Sequence, residues 1–170
     1  MRPEEQLNAL RALYAWANEL GVKSKAVEVG TFSGENAVLM SCYFSDVFTV
    51  DPWTNGYDSN DHASNADMAE VKRVYFERTA DFVNVSHIEL PSVEASKQFT
   101  DGDVDFVYLD GNHKTDALVE DIDAWKPKIR KGGIIAGHDI NMQSVHDALA
   151  KRFMGYPAKL FTDSSWAIIL

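Results

Sequence analysis

The stretch Phe106-Val107-Tyr108-Leu109 is apolar at four consecutive positions and is followed directly by Asp110. Because side chains alternate between the two sides of a strand, such a run is typical of a strand buried on both faces. Other apolar runs alternate along the chain with stretches of helical spacing. Repeated units of this kind predict an α/β fold with a doubly wound sheet. Ligands of such sheets bind beyond the carboxyl ends of the strands, so chemistry is expected there.

Outward from this strand, the apolar pattern predicts seven strands and six helices. The predicted strands are Lys25 to Val29, Val47 to Val50, Val83 to Glu89, Val104 to Leu109, Gly133 to Ala136, Lys159 to Phe161 and Trp166 to Ile169. The predicted helices are residues 3–21, Gly34 to Tyr43, Ala66 to Ala80, Glu94 to Gln98, Thr115 to Trp125 and Ser144 to Phe153. A chain of 170 residues is expected to form one domain, residues 1–170, in which the helix within residues 1–21 covers the sheet.

The composition is that of an acidic globular protein, and it bears on the substrate and on the location of the chain. The formal net charge is -10, so a nucleic-acid substrate is disfavoured and a small molecule is expected. No apolar run approaches the roughly 20 residues of a membrane span, and the N-terminus lacks the apolar core of a signal peptide. Cys42 is the only cysteine, which excludes an internal disulfide and favours a cytoplasmic location.

A turn with two glycines, Glu28-x-Gly30-x-x-x-Gly34, follows the first predicted strand. Gly30 allows a tight turn, and Gly34 allows the next helix to start close to a ligand. The pattern is neither the Gly-x-Gly-x-x-Gly of a dinucleotide fold nor a triphosphate-binding loop. The Glu28 carboxylate would repel a pyrophosphate but attract an ammonium or a sulfonium group. Taken alone, the same residues fit a helix-capping turn with a solvated glutamate equally well.

The ends of the next two strands supply groups that suit a nucleoside. Asp51-Pro52-Trp53 ends the second predicted strand, where an acidic side chain can accept hydrogen bonds from both ribose hydroxyls. Trp53 can stack on adenine, although core packing is the alternative. After the third strand, Ser92 is expected to be the N-cap of a short helix, and an adenine contact from Ser92 and Val93 is a further expectation.

The fourth and fifth predicted strands end in pairs of an acid and an imidazole. Asp110-Gly111-Asn112-His113 offers a carboxylate and a general base three residues apart. His138-Asp139 ends the next strand, and in a parallel sheet Asp110 and Asp139 would lie side by side, as two carboxylates that suit a hard divalent cation. The alternatives are that Asp110 caps the following helix and that His138 is a buried, hydrogen-bonded residue.

The remaining histidines and the cysteine are assigned structural or peripheral roles. His87 within a strand and His146 on a helix are expected to be structural, and Cys42 is expected in the core. His62 lies in the polar loop 53–65, which is expected to shape a pocket for a polar acceptor.

At this point the residues match a known family. The chain resembles the class I S-adenosylmethionine (SAM)-dependent methyltransferases, specifically the small-molecule group called methyltransferase family 24. The matching segments keep the family's order: VEVGTFSGENAVLM (27–40), VDPW (50–53), PSVEA (91–95), DFVYLDGNHKTDALVEDIDAWKPKIRKGGIIAGHDI (105–140) and SSWAI (164–168). The resemblance implies a Rossmann-like, mostly parallel sheet of order 3-2-1-4-5-7-6, with helices on both faces and the last strand antiparallel.

The resemblance also implies a set of cofactor-binding residues. They are Glu28, Gly30, Thr31, Phe32, Gly34, Asn36, Asp51, Pro52, Trp53, Ser92, Val93 and Asp110. Glu28 and Gly30 would face the methionine part of SAM, which Phe32 and Asn36 would line. The ribose would be held by Asp51, and the adenine would be bordered by Ser92 and Val93.

The arrangement is also similar to that of catechol O-methyltransferase and the metal-dependent sugar O-methyltransferases. By this resemblance Asp110 and Asp139 would bind magnesium or another divalent cation, and His113 would be the catalytic base beside Asp110. The catechol enzyme has an Asn ligand after the second Asp, where this sequence has Ile140. Either His138, a water or another loop residue completes the site, or no metal binds.

The expected reaction is in-line transfer of the sulfonium methyl group to a hydroxyl oxygen of a small polar acceptor, with His113 removing the proton. A homo-oligomer, or a second subunit that completes the site, is compatible with a chain this short. Two alternatives stay open. One is a SAM-binding module or inactive partner subunit without its own catalysis, and the other is a nicotinamide-dependent oxidoreductase, which Glu28 and the missing Gly-x-Gly-x-x-Gly disfavour.

Overall fold

The computed structural model describes residues 2–57 and 63–170 and is built around a seven-stranded sheet. The strands are β1 (Lys25–Val29), β2 (Asp46–Val50), β3 (Val85–Ile88), β4 (Val104–Leu109), β5 (Ile129–Gly137), β6 (Ala158–Leu160) and β7 (Trp166–Ile169). The helices are α1 (Glu4–Glu19), α2 (Glu35–Ser41), α3 (Met68–Thr79), α4 (Ser92–Ser96), α5 (Thr115–Trp125) and α6 (Gln143–Phe153). Short 3-10 turns at Ala63–Asn65 and Lys126–Lys128 complete the set of described helical elements.

The strands lie in the order β3-β2-β1-β4-β5-β7-β6, which confirms the expected order. All pairings among β1 to β5 are parallel. The strand β7 runs antiparallel to both β5 and β6. Because β1 and β4 are adjacent at the centre, the chain reverses direction of winding there, and a crevice opens beyond their carboxyl ends.

Helices cover both faces of the sheet, and each face has its own hydrophobic core. On one face α4, α5 and α6 pack over β4 and β5 around Trp125, Phe99 and Phe153. On the other face α1 packs Leu10, Leu13 and Tyr14 against the sheet, as its helical spacing predicts. The strand β4 is buried at all six positions because both layers of helices press on it.

Two predictions about side-chain environment are wrong. Cys42 is exposed rather than in the core, because α2 ends at Ser41 and the thiol lies at the C-cap, beyond the buried face of the helix. Ser92 is not an N-cap, because α4 already begins at Ser92 and Pro91 takes the cap position without a side-chain hydrogen bond.

Several peripheral assignments have simple outcomes. His87 lies in β3, and His146 lies exposed on α6. His62 falls outside the described residues, so the expected role of the loop 53–65 stays a prediction. No helix in the described part of the chain is long and apolar enough to cross a membrane.

Candidate active site

A cavity of about 600 Å³ opens at the carboxyl ends of β1, β2 and β4. It brings together most of the residues that the sequence selects. The predicted residues on its wall are Gly30, Phe32, Asp51, Pro52, Ser92, Val93, Asp110 and His113. The packing of the strands therefore brings these side chains together at the carboxyl edge of the sheet, as their positions after the strands predict.

The floor of the cavity depends on a close approach of the two central strands at Gly30. A Cβ atom added to Gly30 would lie 2.3 Å from the backbone oxygen of Asp110, and the residue has φ +84°. Both conditions exclude every L-residue with a side chain. The amide of Asp110 in turn donates to the oxygen of Val29 at 2.8 Å. This approach fixes the end of β4 against the turn that follows β1.

Behind the floor, the Glu28 carboxylate is fully buried and belongs to a polar network. The Thr31 hydroxyl donates to Glu28 Oε2 at 2.7 Å, and the Asn36 amide donates to Glu28 Oε1 at 2.8 Å. The Tyr14 hydroxyl of α1 donates to Asn36 Oδ1 at 2.6 Å. Burial raises the pKa of Glu28 to about 7, although both donors oppose that rise. The structure thus places Glu28, Thr31 and Asn36 beneath the turn, where they hold its shape.

The end of β2 presents the Asp51 carboxylate to the cavity in a fixed orientation. The backbone amides of Phe32 and Trp53 donate to its two oxygens at 2.9 and 2.8 Å. Burial raises the pKa of Asp51 above its ordinary value despite these hydrogen bonds. The carboxylate therefore joins the turn after β1 to the end of β2 and faces the same space as Gly30.

The indole of Trp53 lies apart from the other predicted cofactor-binding groups. Its ring packs in a cluster with Tyr75 of α3 and stacks on His87 with 4.2 Å between ring centroids. Its Nε1 donates to the Phe32 oxygen at 3.0 Å. In this position Trp53 supports the turn after β1 through Phe32, and its side chain is 7% exposed.

The ends of β4 and β5 bring two carboxylates and one imidazole together. His113 Nε2 lies 3.1 Å from Asp139 Oδ2 and 3.6 Å from Asp110 Oδ1. One ligand atom from each of the three lies within 4.8 Å of the others. Burial opposes ionisation of Asp110, but the neighbouring His113 imidazole and the positive charge of Arg2 outweigh it and lower the pKa of Asp110 to about 2. Asp110 therefore stays a carboxylate at any physiological pH.

His138 lies beside this group rather than within it. Its side chain is 9% exposed, and its Nδ1 lies 3.1 Å from Asp139 Oδ1. Burial disfavours the imidazolium, but the hydrogen bond with Asp139 and the charge of Asp110 outweigh that effect and raise the pKa of His138. The alternative of a buried, hydrogen-bonded His138 agrees with this position. The other alternative, Asp110 as a helix cap, does not, because Lys114 occupies the N-cap of α5.

Arg2 is a member of this site that sequence reasoning missed. Its guanidinium pairs with Asp110, and its backbone amide donates to Glu35 Oε2 at 2.7 Å. The side chain lies on the wall of the cavity. No strand-end pattern points to residue 2, because it precedes α1 and reaches the site through the packing of α1 on the sheet. The sequence feature that could have indicated a role for Arg2 is its basic side chain, just before the first helix.

Asp121 of α5 is a second missed member. It is 8% exposed and forms part of the cavity wall next to Ser92. The Ser92 hydroxyl accepts a hydrogen bond from Trp125 Nε1 at 2.9 Å and donates one to the Asp121 carboxylate. In the sequence, Asp121 is one of several acidic residues of α5, so no pattern distinguishes its buried side chain from the exposed ones.

The sequence of the chain matches a known protein family. The sequence profile of a family described as "Methyltransferase domain" matches residues 27–140, from the middle of β1 to just beyond the end of β5. No curated protein sequence matches the chain. The matched region contains all the predicted cofactor-binding positions as well as Asp110, His113 and Asp139.

Solved structures with the same fold are numerous, at low sequence identity. The O-methyltransferase NovP superposes with a TM-score of 0.74 and 15% identity, over 97% of this chain and 79% of NovP. A calicheamicin methyltransferase gives a TM-score of 0.70 and 17% identity, over 96% of this chain and 78% of its own. An rRNA methylase from Streptococcus thermophilus gives 0.64 and 14%, over 99% and 95%. These likenesses show the fold, and they include both small-molecule and RNA enzymes.

Proposed function

The chain belongs to the methyltransferase domain family and is a class I SAM-dependent methyltransferase, and on this premise we propose that it transfers the methyl group of SAM to a hydroxyl oxygen of a small polar acceptor. His113 is the proposed general base. The observation that carries this proposal is the position of the His113 imidazole on the cavity wall, with Asp110 and Asp139 beside it.

The cofactor is proposed to lie along the edge formed by the first, second and third strand ends. The methionine part would lie near Gly30, which lines the cavity at the turn after β1. The Asp51 carboxylate, held by two backbone amides, would accept hydrogen bonds from the ribose hydroxyls. The adenine would lie by Ser92 and Val93 at the start of α4. Glu28 would act mainly through Thr31, since its own carboxylate is buried behind the turn.

The acid–imidazole group supplies what methyl transfer to an alcohol requires. An alcohol is a poor nucleophile at neutral pH, so a base has to take its proton as the new bond to carbon forms. When His113 takes this proton, the imidazolium lies between two carboxylates, which stabilise its charge. The His113 side chain is 19% exposed and lies on the cavity wall, while its Nε2 atom is buried against the carboxylates.

The same three side chains also fit a divalent cation. Two carboxylates and an imidazole with ligand atoms within 4.8 Å are a suitable partial donor set. An ion held there by Asp110 and Asp139 would acidify the acceptor hydroxyl, and His113 beside it would take the proton. Arg2 pairs with Asp110, so it competes with such an ion for that carboxylate.

The base assignment is tested by H113A. We expect turnover, measured as release of S-adenosylhomocysteine with a panel of catechols, sugars and hydroxylated metabolites, to fall by about 10²- to 10⁴-fold. The affinity for S-adenosylhomocysteine, measured by calorimetry, should stay nearly unchanged. H146A, at an exposed position on α6, is the control. Equal loss of turnover and affinity would contradict the assignment. Cofactor binding without turnover on any acceptor would instead favour a SAM-binding subunit without its own catalysis.

The cation site is tested by binding rather than by activity. We expect Mn²⁺, followed by electron paramagnetic resonance, to bind at one site, and D139N to weaken that binding by at least about tenfold. R2A should strengthen it, because the competing guanidinium is lost. Mn²⁺ binding that D139N leaves unchanged would place the ion elsewhere and exclude these ligands.

A further inference from the structure

One buried carboxylate on the cavity wall takes no part in the proposed methyl transfer. Asp121 lies in the middle of α5 and is 8% exposed, yet it borders the cavity on the side of Ser92. Among the described residues, no lysine or arginine lowers the pKa of Asp121, and the charged side chain that affects this pKa is Glu120. Burial, with the charge of Glu120, raises the pKa of Asp121 to about 6, so it is mostly ionised at neutral pH.

The orientation of this carboxylate is set by two neighbours. The indole Nε1 of Trp125 donates to the Ser92 oxygen at 2.9 Å. Because that oxygen already accepts a hydrogen bond, the hydroxyl hydrogen of Ser92 can be donated to Asp121. An ionised carboxylate can accept about four hydrogen bonds, and Ser92 supplies one of them. Asp121 also lines the cavity, so a bound ligand can supply a further donor in place of water.

The chemistry of that donor follows from the position of Asp121. In the proposed SAM site, a nucleoside whose ribose is held by Asp51 would extend its base toward the start of α4, and Ser92 and Asp121 both line the cavity wall. The 6-amino group of adenine carries two N–H donors, whereas a 6-oxopurine has an acceptor oxygen at the same place. A carboxylate attracts the first group and repels the second. Sites built around such a polar group discriminate strongly, because the wrong ligand leaves a buried charge unpaired.

We propose that Asp121, oriented by Ser92 and Trp125, accepts a hydrogen bond from the 6-amino group of the cofactor and makes the cavity selective for adenosyl over inosyl cofactors. This inference rests on the proposed SAM site and adds a specificity-determining residue to it. It concerns binding only, so it does not depend on the identity of the acceptor or on His113.

The test compares two ligands by calorimetry at pH 8: S-adenosylhomocysteine and S-inosylhomocysteine. We expect the wild-type protein to prefer the adenosyl compound by about 10- to 100-fold. D121N should reduce this preference to within a few-fold, since an amide can accept from a 6-amino group and donate to a 6-oxo group. D123N, at an exposed position of the same helix, is the matched control and should keep the wild-type preference.

Each outcome decides the proposal. A preference that survives in D121N, with normal unfolding temperature, would overturn it while leaving the SAM site intact. If D121N does not fold, S92A removes the hydroxyl that orients Asp121, and we expect the preference to fall at least threefold; an unchanged preference in S92A would overturn the proposal. Failure of the wild-type protein to bind S-adenosylhomocysteine would overturn this inference and the proposed function together. Loss of turnover with the preference retained would affect the proposed function alone.

Discussion

Glu28 is a carboxyl group without exposure to solvent, and its titration links the stability of the fold to pH. Burial raises its pKa from the usual 4.5 to about 7, with the nearby charges of Arg2 and Asp110 acting in opposite directions. A carboxyl group whose pKa is raised on folding contributes stability that is fully present below pH 4.5 and is lost as pH rises through about 7. Glutamine resembles the protonated form of this side chain and does not titrate.

The pH prediction therefore concerns E28Q. Its free energy of unfolding, relative to wild type, should rise between about pH 4.5 and 7 by an amount of the order of 3 kcal/mol. Urea denaturation across this range measures the difference. E19Q, at the exposed end of α1, controls for the loss of one negative charge. A pH-independent difference between E28Q and wild type would show that Glu28 titrates normally in the folded protein.

At the scale of elements, α1 is attached to the site by a hydrogen bond as well as by packing. The Tyr14 hydroxyl is buried and donates to Asn36, which in turn donates to Glu28. Around it lie the rings of Phe44, Phe106 and Tyr108. The helix that covers the sheet thus also orients the residues beneath the turn after β1.

Y14F should show the strength of this attachment. Removing the hydroxyl leaves the buried Asn36 oxygen without its donor, and we expect a loss of about 1 to 2 kcal/mol in the free energy of unfolding. Y43F is the control, since that ring packs against Tyr14 at the partly exposed edge of the same cluster. If Y14F loses no more stability than Y43F in urea denaturation, the hydroxyl hydrogen bond does not attach α1, and the ring packing that both variants keep does.

The elements themselves were largely predictable from the sequence. The bounds of β1, β4, α5 and β7 coincide with the predicted ones, because apolar runs or caps mark both ends. The strand β5 begins four residues earlier than predicted, at Ile129. Its first half, Arg130-Lys131-Gly132-Gly133, is polar and glycine-rich, so periodicity does not mark it as a strand.

Site residues that follow strands were predictable from the sequence, whereas site residues that come from helices were not. Asp51, Asp110 and His113 follow strands directly, so topology alone brings them to one edge. Trp53 has φ +45°, and its ring lies in the cluster with Tyr75, which the strand-end pattern does not indicate. Asp121 and Arg2 enter from helices, and their directions are decided by tertiary packing that no local pattern encodes.

For the molecule as a whole, the acidic charge disfavours a nucleic-acid acceptor. The formal net charge of -10 opposes binding to a phosphate backbone, whose affinity for proteins comes from Lys and Arg contacts. We expect no retention of ribosomal RNA in filter binding, even at about 50 mM salt, where such contacts are strongest. RNA retention that falls steeply with added salt would contradict the expected small-molecule acceptor. The expected homo-oligomer stays a prediction, which light scattering can address.

The position of Arg2 has a practical consequence for anyone who expresses this protein. Its backbone amide donates to Glu35 and its guanidinium contacts Asp110, so chain attached ahead of residue 2 starts beside the mouth of the cavity. A histidine purification tag placed there would bring several imidazoles close to Asp110 and Asp139, where they could bind an added metal ion. Leu170 lies next to Gly132, at the opposite, amino-terminal end of β5, so a tag belongs at that end of the chain.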